Sequence, residues 1–442
     1  MNASASGAPS GWKASTGYAW YVAAVLMLAN VSAFIDRQIL ALMVDPIRAD
    51  LGISDTQMSL LLGLAFAVFY SLMGIPIGRL ADSGNRRAII AVGIALWSGM
   101  CTACGLARSY WQLFLARVGV GVGEAALTPP AYSLLADYFP PARLAGALSV
   151  FSMGIFLGSG LAYLVGGTVI EVVQGMDGWP LLDGLRPWQR VFVVVGVPGL
   201  VLALLMLTVR EPARRSRSER TPPMRMLIQY LRVHRGAYLA HGTGYSLFSL
   251  VNYATAAWFP AYFMRVHGWS AGKVGLYMGG ATLAFGSLGV LAGGRLATWM
   301  SNRGKEDANL RVGTVAALGT TLAALPLYLG PSEAVVVVAL LLTNVFAAFP
   351  WGAAAAAVQE MTPADMRGQA SALFLLLVNV IGLALGPTAV AILTDHVFAR
   401  DEAVGLSLLV VTLVGRLVAA GSFALGATSY AAAVRTARAW TG

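Results

Sequence analysis

The chain contains few charged residues and few residues of the kinds that build soluble catalytic centres. Only 11% of its 442 residues are charged, and it has two cysteines and four histidines. The cysteines, Cys101 and Cys104, lie in an apolar stretch, where we expect them to pack as small side chains rather than serve redox or metal chemistry. The histidines are scattered without a metal-ligand spacing, and no phosphate-binding loop occurs. We therefore expect no metal, no cofactor, no direct use of ATP and no enzyme active site.

Hydrophobic residues make up 57% of the chain. They form twelve apolar runs of roughly 20–28 residues, each long enough to cross a bilayer as a helix, whereas the strands of a β-barrel would be shorter and alternating. The sequence therefore predicts an all-α polytopic membrane protein with twelve transmembrane helices. The predicted spans are 18–44, 56–80, 87–107, 110–136, 144–171, 190–209, 238–264, 272–297, 312–330, 333–358, 368–394 and 404–432.

The net charge of +10 is unevenly distributed along the chain. With twelve helices, most arginines and lysines fall in loops on one side of the membrane, including eight arginines within 210–235. The positive-inside rule then predicts an inner (plasma) membrane protein with both termini in the cytoplasm. The basic loops suit contact with anionic lipids, and no aromatic-interleaved basic patch indicates nucleic acid as a partner. Residues 1–16, rich in Ser, Ala and Gly, are expected to form a disordered cytoplasmic N-terminus.

A short internal repeat divides the chain into two parts. The sequence GRLA at 78–81 recurs at 294–297, and a Gly-x-x-x-Gly pattern in the fifth helix has a counterpart in the eleventh. Parallel repeats of this kind predict two six-helix bundles, at 17–209 and 237–434. The intervening 210–236 reads as a cytoplasmic linker with an amphipathic helix over 224–235, and 435–442 as a cytoplasmic tail. On that helix we expect lipid-facing side chains at Met226, Leu227, Tyr230 and Leu231.

Two charges lie inside the fourth apolar run. Arg117 and Glu124 are seven residues apart and so share one face of a helix. A charge at bilayer depth costs roughly 2.5–3.5 kcal/mol, which favours a face that lines a wet cavity. An ion pair that only fixes helix packing remains the alternative. Alternating glycines at 119–123 predict close backbone approach, and Pro129 and Pro130 predict a bend.

The first helix carries adjacent charges, Asp36 and Arg37. Neighbouring helical residues point about 100° apart, so the two side chains cannot face one partner. We expect Asp36 on the cavity and Arg37 near a carboxylate of the fourth helix or of a loop. The alternative places both in water at the outer mouth.

The second half has few carboxylates at membrane depth, but it carries an unexpected arginine, Arg416, in the last span. This side chain faces either the cavity or, by snorkelling, the interface. Aromatic and amide side chains opposite the charges of the first half suit an amphiphile with a charged head and an apolar tail. The candidate cavity residues are Tyr163, Asn252, Tyr253, Trp258, Asn344, Trp351 and Asn379.

The stretch 78–87, GRLADSGNRR, resembles the loop signature G-x-L-A-D-R-x-G-R-R of the major facilitator superfamily. It departs from that pattern at Ser83 and Asn85. Charged pairs in this loop would form a gate that separates in the other conformation, with Arg86 and Arg87 pairing across the cytoplasmic seam; simple anchoring by positive charge is the alternative. The expected gate residues are Gly78, Asp82, Arg86, Arg87, Asp137 and Arg143.

The region 117–163 resembles the Spinster branch of that superfamily, in its bacterial form. The shared elements are G-E-A in the fourth helix, A-D before the loop, then S-V-F and G-S-G-L-x-Y in the fifth helix. The resemblance implies proton-linked secondary transport of sphingolipids or lysophospholipids. It implies proton-coupling roles for Asp36 and Glu124, with Arg37 and Arg117 as charge partners or headgroup contacts. Arg416 is a further candidate for such a contact, taken from its position in the last span alone. It also implies a bend in the fifth helix at Gly154, Gly158, Ser159 and Gly160.

The sequence and the resemblance thus favour an alternating-access secondary transporter for proton-coupled export of a lipid-like amphiphile, acting as a monomer. One alternative is a proton symporter for small organic anions, with Arg37 and Arg117 as carboxylate clamps. Another is a scramblase, which would move lipid without a gradient.

Overall fold

The computed structural model describes residues 15–174, 184–212, 214 and 223–440. The described residues form helices and connecting turns, with no strand among them. The all-α fold class predicted from the apolar runs is confirmed. Most of the predicted disordered N-terminus and much of the predicted linker lie outside the described residues.

Twelve long helical segments, here α1–α12, follow one another along the chain. Ten helices are long and apolar enough to cross a membrane, and the other two segments are α4, which a turn interrupts, and α7. Within the first half, the bounds are α1 Thr16–Gln38, α2 Asp55–Ser83, α3 Arg86–Cys104, α4 Tyr110–Glu124 with Thr128–Tyr138, α5 Pro141–Gln174 and α6 Pro187–Met206. Within the second, they are α7 Arg235–His267, α8 Ala271–Asn302, α9 Ala308–Leu329, α10 Glu333–Glu360, α11 Arg367–Phe398 and α12 Val404–Arg438.

The interruption of α4 follows from its sequence. Its first part ends at Glu124, and its second part begins at Thr128 with both prolines in the first turn, where their missing N–H groups cost no helical hydrogen bond. The bend that the prolines predicted is therefore confirmed. It leaves Glu124 at the end of a helix, beside the centre of the bundle.

The two halves meet along α2 with α11 and α5 with α8. A Cβ added to Gly63 of α2 would lie 2.4 Å from the Leu383 carbonyl oxygen, and one added to Gly275 of α8 would lie 2.3 Å from the Tyr163 carbonyl oxygen. Only glycine permits such close backbone approach. Wider π-helical turns interrupt three of these four helices, at Leu60–Leu64, Ala281–Gly286 and Val380–Ala384.

We call the end of the bundle where α1 begins and α12 ends the terminal side, and the opposite end the distal side. On the terminal side, a linker helix, Met224–Val233, packs against the second half. The expectation that Leu227 and Tyr230 face lipid is wrong, because both side chains are buried and the Tyr230 hydroxyl donates to the Met361 carbonyl at 3.1 Å. Burial raises the pKa of Tyr230 to about 12, so the hydroxyl keeps its proton. Met226 is exposed, as expected.

Candidate functional site

An ion pair between α1 and α4 lies at the centre of the first half. Arg37 Nη2 lies 2.5 Å from Glu124 Oε2, with side-chain exposures of 12% and 2%. The structure thus places Arg37 against a carboxylate of the fourth helix, as expected from the sequence, and gives Glu124 a partner other than Arg117. At this depth the attraction between the two charges is weakly screened, so the pair holds α1 against α4.

Aromatic rings surround the Arg37 guanidinium. Its central carbon lies 4.3 Å from the centre of the Phe66 ring, 4.7 Å from Phe34 and 5.5 Å from Tyr70. Phe66 and Tyr70 stack on each other along α2. Such rings stabilise a cation through their electron-rich faces. Sequence reasoning missed both α2 rings, although their four-residue spacing could have indicated an aromatic face.

Asp36 does not lie on the cavity, and that expectation is wrong. Its side chain is 1% exposed and lies against the Cys101 thiol of α3, inside the first half. The reason is the 100° between neighbours on a helix: Arg37 takes the direction toward α4 and α2, which turns Asp36 toward α3. Neither Asp36 carboxylate oxygen has a hydrogen-bond partner among the described residues.

Arg117 is fully buried and contacts main-chain oxygens. Its Nη1 donates to the Asp36 carbonyl at 3.4 Å and its Nε to the Leu61 carbonyl at 3.5 Å. It therefore ties α4 to the backbones of α1 and α2. Together, Asp36, Arg37, Arg117 and Glu124 place two positive and two negative groups in one small volume at membrane depth.

The expected gate is organised differently from the prediction. Arg86 is 1% exposed and pairs with Asp137 at 2.5 Å and with Glu211 at 2.7 Å. Asp137 ends α4, and Glu211 lies in the linker just after α6, so both partners stand on the first-half side of the seam. Pairing of Arg86 across the seam stays a prediction for the other conformation. Asn85 caps α3 by accepting from the Ala88 N–H, which places Arg86 in the first helical turn and directs it toward the ends of α4 and α6.

The other expected gate residues lie apart from this cluster or join it through the main chain. The Arg87 N–H donates to Glu211 Oε2 at 3.0 Å. Asp82 and Arg143 are exposed, and a Cβ added to Gly78 would meet no atom within 4 Å. Glu211 was missed, although a lone carboxylate directly after Arg210 at the end of α6 was a usable signal.

The halves are joined on the distal side by a cluster that sequence reasoning also missed. Arg265 of α7 donates to both oxygens of Asp55 at 2.7 and 2.9 Å and to Asp45 at 2.8 Å. Arg48 lies 3.0 Å from Asp55 and 2.9 Å from Asp401. We call these five residues the distal cluster. The acidic loop after α1 and the isolated Arg265 opposite it were the available signal.

Two further polar contacts cross between the halves on the distal side. The Thr56 N–H and hydroxyl both donate to Asp395 at 2.6 Å. Glu171 of α5 accepts from the Gly272 N–H at 2.9 Å, at the N-terminus of α8, where the helix dipole favours a carboxylate. The distal side is thus closed by ion pairs and hydrogen bonds between the halves.

The candidate cavity residues divide into two groups. Asn252, Tyr253, Asn344 and Asn379 are partly accessible, and Trp351 is 52% exposed with its ring against Phe156 of the other half. Tyr163 is buried and donates across the interface to the Ala256 carbonyl at 3.1 Å. Trp258 is fully buried and donates to the Pro387 carbonyl, so its assignment to the cavity lining is wrong. Its indole N–H fixes α7 to α11 instead.

Arg416 points into the second half and does not snorkel. It is 1% exposed, donates from Nη1 to the Phe248 carbonyl at 3.0 Å, and donates from Nη2 to Asn252 Oδ1 at 2.5 Å. The structure thus separates the expected charge partners into two locations. Arg37 and Arg117 lie in the first half, and Arg416 lies behind Asn252 in the second.

The glycines of α5 serve as contact surfaces. A Cβ added to Gly154 would lie 2.7 Å from the Met27 carbonyl oxygen, and one added to Gly158 would lie 2.7 Å from Phe34 Cβ, both on α1. Gly160 packs on Leu283 of α8 in the same way, and Ser159 is half-buried between them. Because α5 continues as one α-helix from Pro141 to Gln174, these residues act in helix packing rather than in a break.

The sequence profile of the Major Facilitator Superfamily matches residues 26–387. The chain belongs to the Major Facilitator Superfamily. Within this superfamily, it is 31% identical to an MFS-type efflux pump of Mycolicibacterium smegmatis, over 93% of each chain. It is 27% identical to the sphingosine-1-phosphate transporter SPNS2 of Mus musculus over 320 residues, covering 68% of this chain and 56% of that one.

The fold agrees with that of a solved Spinster relative. A bacterial homologue of the human lysosomal transporter Spinster, solved in an inward-facing and unoccupied conformation, superimposes with a TM-score of 0.79. The two chains are 28% identical, and the match covers 97% of this chain and 100% of the other. This protein is therefore an integral membrane transporter of the Spinster type, and the resemblance seen at 117–163 is confirmed.

Proposed function

We propose that this transporter exports a lipid-like amphiphile, of the sphingolipid or lysophospholipid class, in exchange for protons. The observation that carries the proposal is the Arg37–Glu124 pair, a buried ion pair with an aromatic face, at the centre of a transporter fold. Buried charges inside membrane helices are costly, and they mark ion and substrate pathways.

Glu124 is the proposed site of proton binding. When Glu124 is neutral, the Coulomb attraction that holds Arg37 is lost, and the guanidinium is free to take another acceptor. Separating one member of a buried pair changes the free energy by about 3–5 kcal/mol, enough to shift a two-state equilibrium by roughly 150- to 5,000-fold. Protonation at this position is therefore able to change the balance between conformations.

Asp36 is the proposed second proton site. Its carboxylate is buried against the Cys101 thiol, which is at best a weak donor, and an ionised carboxylate in such a place is costly while the neutral acid is tolerated. Arg117 of α4 donates to the Asp36 carbonyl, so a movement of α1 at Asp36 would also move α4. Two carboxylates within one charge group then titrate as a coupled pair.

Alternating access follows from the distribution of contacts between the halves. The distal cluster closes one side, and the Arg86 cluster on the terminal side keeps its pairs within one half. We infer a conformation open toward the terminal side, which the basic loops place in the cytoplasm of a bacterium. Opening the distal side requires Arg265 and Arg48 to leave their partners across the seam.

The lipid-like substrate is supported by the mixture of groups between the halves. The second half carries accessible aromatic and amide side chains, such as Trp351 and Asn252, and its Tyr253 interacts with Arg37 of the first half. An amphiphile would place its head near the charges and its tail along the aromatic surface. Among the relatives, the sphingosine-1-phosphate transporter supports this substrate class, and the efflux pump supports the direction of export.

The test is uptake or release of a labelled lysophospholipid by proteoliposomes under an imposed pH gradient. We compare the parent with Glu124→Gln and with a matched control, Glu333→Gln, whose exposed carboxylate pairs with Lys273 on the surface. The proposal predicts gradient-dependent transport that Glu124→Gln abolishes and Glu333→Gln retains. Equal, gradient-independent movement in all three would indicate scrambling and contradict coupling. Transport of small organic anions without lipid movement would contradict the substrate class.

A further inference from the structure

Arg416 is a buried cation without a carboxylate partner among the described residues. The other deeply buried arginines at helix ends and seams, Arg86 and Arg265, each pair with two carboxylates. Arg416 has only neutral acceptors, the Phe248 carbonyl and the Asn252 amide, and its central carbon lies 3.5 Å from the centre of the Phe248 ring. Its Nε has no hydrogen-bond partner within the part of the chain that the structure describes. Burying a guanidinium in the middle of a membrane helix costs free energy, and charged groups in such positions commonly mark ion or substrate pathways.

Asn252 connects this cation to the region between the halves. The Asn252 side chain is half-buried, accepts from Arg416 and donates from Nδ2 to the Ala347 carbonyl of α10 at 3.3 Å. The next residue, Tyr253, lies close to the Arg37 guanidinium of the other half. Arg416 is thus separated from the centre of the transporter by one rotatable amide.

We propose that Arg416 and Asn252 form an anion subsite in the second half, and that the transported amphiphile carries an anionic headgroup. This inference rests on the proposed transport function and adds the charge of the substrate. An anionic oxygen replaces the Asn252 amide oxygen as the acceptor of Arg416 Nη2, and the freed amide donates to the same headgroup. In the conformation described here Arg37 pairs with Glu124, and Arg117, although bonded to main-chain carbonyls, lies in the same charge group as Asp36 and Glu124. Arg416 has no such carboxylate beside it among the described residues, so it is the cation open to an anionic headgroup.

The charge-assisted hydrogen bond sets the size of the effect. The guanidinium of Arg416 would exchange a bond to the neutral Asn252 oxygen for a bond to an anionic headgroup oxygen. A hydrogen bond between two charged groups is stronger, by a margin that corresponds to about tenfold or more in affinity. We therefore expect a preference of about tenfold or more for an anionic head over an uncharged head on the same acyl chain.

The experiment measures binding of three lysolipids with one acyl chain to the purified full-length protein. Their headgroups are a phosphate monoester, phosphocholine and glycerol alone. The parent is expected to prefer the phosphate monoester over the uncharged lipid. Arg416→Gln is expected to remove that preference, because it weakens binding of the phosphate monoester about tenfold or more relative to binding of the uncharged lipid. Arg303→Gln, a matched change of an exposed arginine, is expected to leave the preference intact.

A second variant addresses loss of folding. Asn252→Asp supplies a carboxylate 2.5 Å from the guanidinium, so it should raise the melting temperature while removing the preference for the anionic head. Asn302→Asp, at an exposed position, is the control for an added negative charge. Retention of the headgroup preference in folded Arg416→Gln or Asn252→Asp would overturn the proposal, as would equal affinity of the parent for all three lipids.

The same binding measurements distinguish failure of the anion subsite from failure of the proposed lipid substrate. If no lysolipid binds, the proposed function fails, and the same variants are tested for binding of glycerol phosphate, a soluble phosphate ester. Binding that depends on Arg416 would retain the anion subsite for a small substrate, whereas no binding would overturn it.

Discussion

Loss of Arg265 should open the distal side of the transporter. Its guanidinium makes three hydrogen bonds to Asp45 and Asp55 across the seam, and Asp55 is fully buried. Removing one partner of a buried pair costs about 3–5 kcal/mol, but Asp45 is partly exposed and Arg48 remains 3.0 Å from Asp55. We therefore expect Arg265→Gln to destabilise the closed state by about 1.5–3 kcal/mol. Because the contacts exist only in the closed state, this shifts the conformational equilibrium by roughly 10- to 150-fold.

The assay is labelling of one cysteine with a membrane-impermeant maleimide. Ser59 is fully buried between the halves, with its hydroxyl 3.3 Å from Thr388, so Ser59→Cys reacts only when the distal side opens. The native Cys101 and Cys104 are replaced by serine in every variant. Labelling should accelerate by roughly the same 10- to 150-fold in Arg265→Gln. Arg400→Gln, an exposed arginine on the same side, is the matched control. Equal labelling rates in the parent, the control and Arg265→Gln would show that Arg265 does not hold the distal side closed.

Three further predictions concern folding and helix packing. Arg86→Gln leaves Asp137 and Glu211 without their shared cation and should lower stability by about 3–5 kcal/mol, seen as a lower melting temperature that exposed Arg143→Gln does not share. Gly275→Ala places a Cβ 2.3 Å from the Tyr163 carbonyl oxygen and should slow transport in protein that still folds, whereas Gly280→Ala, with no atom within 4 Å, should not; equal rates would contradict the tight α5–α8 contact. Tyr230→Phe removes the donor to Met361 and should cost about 1 kcal/mol of stability; an unchanged melting temperature would show that docking of the linker helix depends on apolar contacts alone.

The architecture could be predicted from the sequence because it depends on local patterns. Apolar run length gives the helices, and the double proline gives the break in α4. The Arg37–Glu124 pairing followed from angular spacing on α1 together with the need to neutralise a buried charge. Each of these inferences uses residues close in sequence or a constraint that the membrane imposes on every charge.

The remaining parts of the site depend on how helices rotate and on which conformation is populated. Asp36 and Arg37 could have exchanged directions, because spacing fixes their angle to each other but not the rotation of α1. Asn85 caps α3, so Arg86 lies in the first turn of that helix and points toward the ends of α4 and α6. The direction of Arg86 therefore depends on helix capping, which a charge pattern does not indicate. The distal cluster joins residues more than 200 positions apart, and such contacts leave no periodic signal. Trp258 was wrongly assigned to the cavity because the sequence pattern around an aromatic residue is the same whether its ring lines a cavity or packs in a core.

The proposed exchange moves protons through Glu124 in the direction opposite to the substrate. The most direct measurement is the pH inside lightly buffered proteoliposomes after a lysophospholipid gradient is applied, with no imposed pH gradient. We expect protons to move opposite to the lipid in the parent and in Glu333→Gln, and we expect no proton movement in Glu124→Gln. Lipid movement without any change in pH in the parent, or an unchanged proton flux in Glu124→Gln, would contradict this exchange.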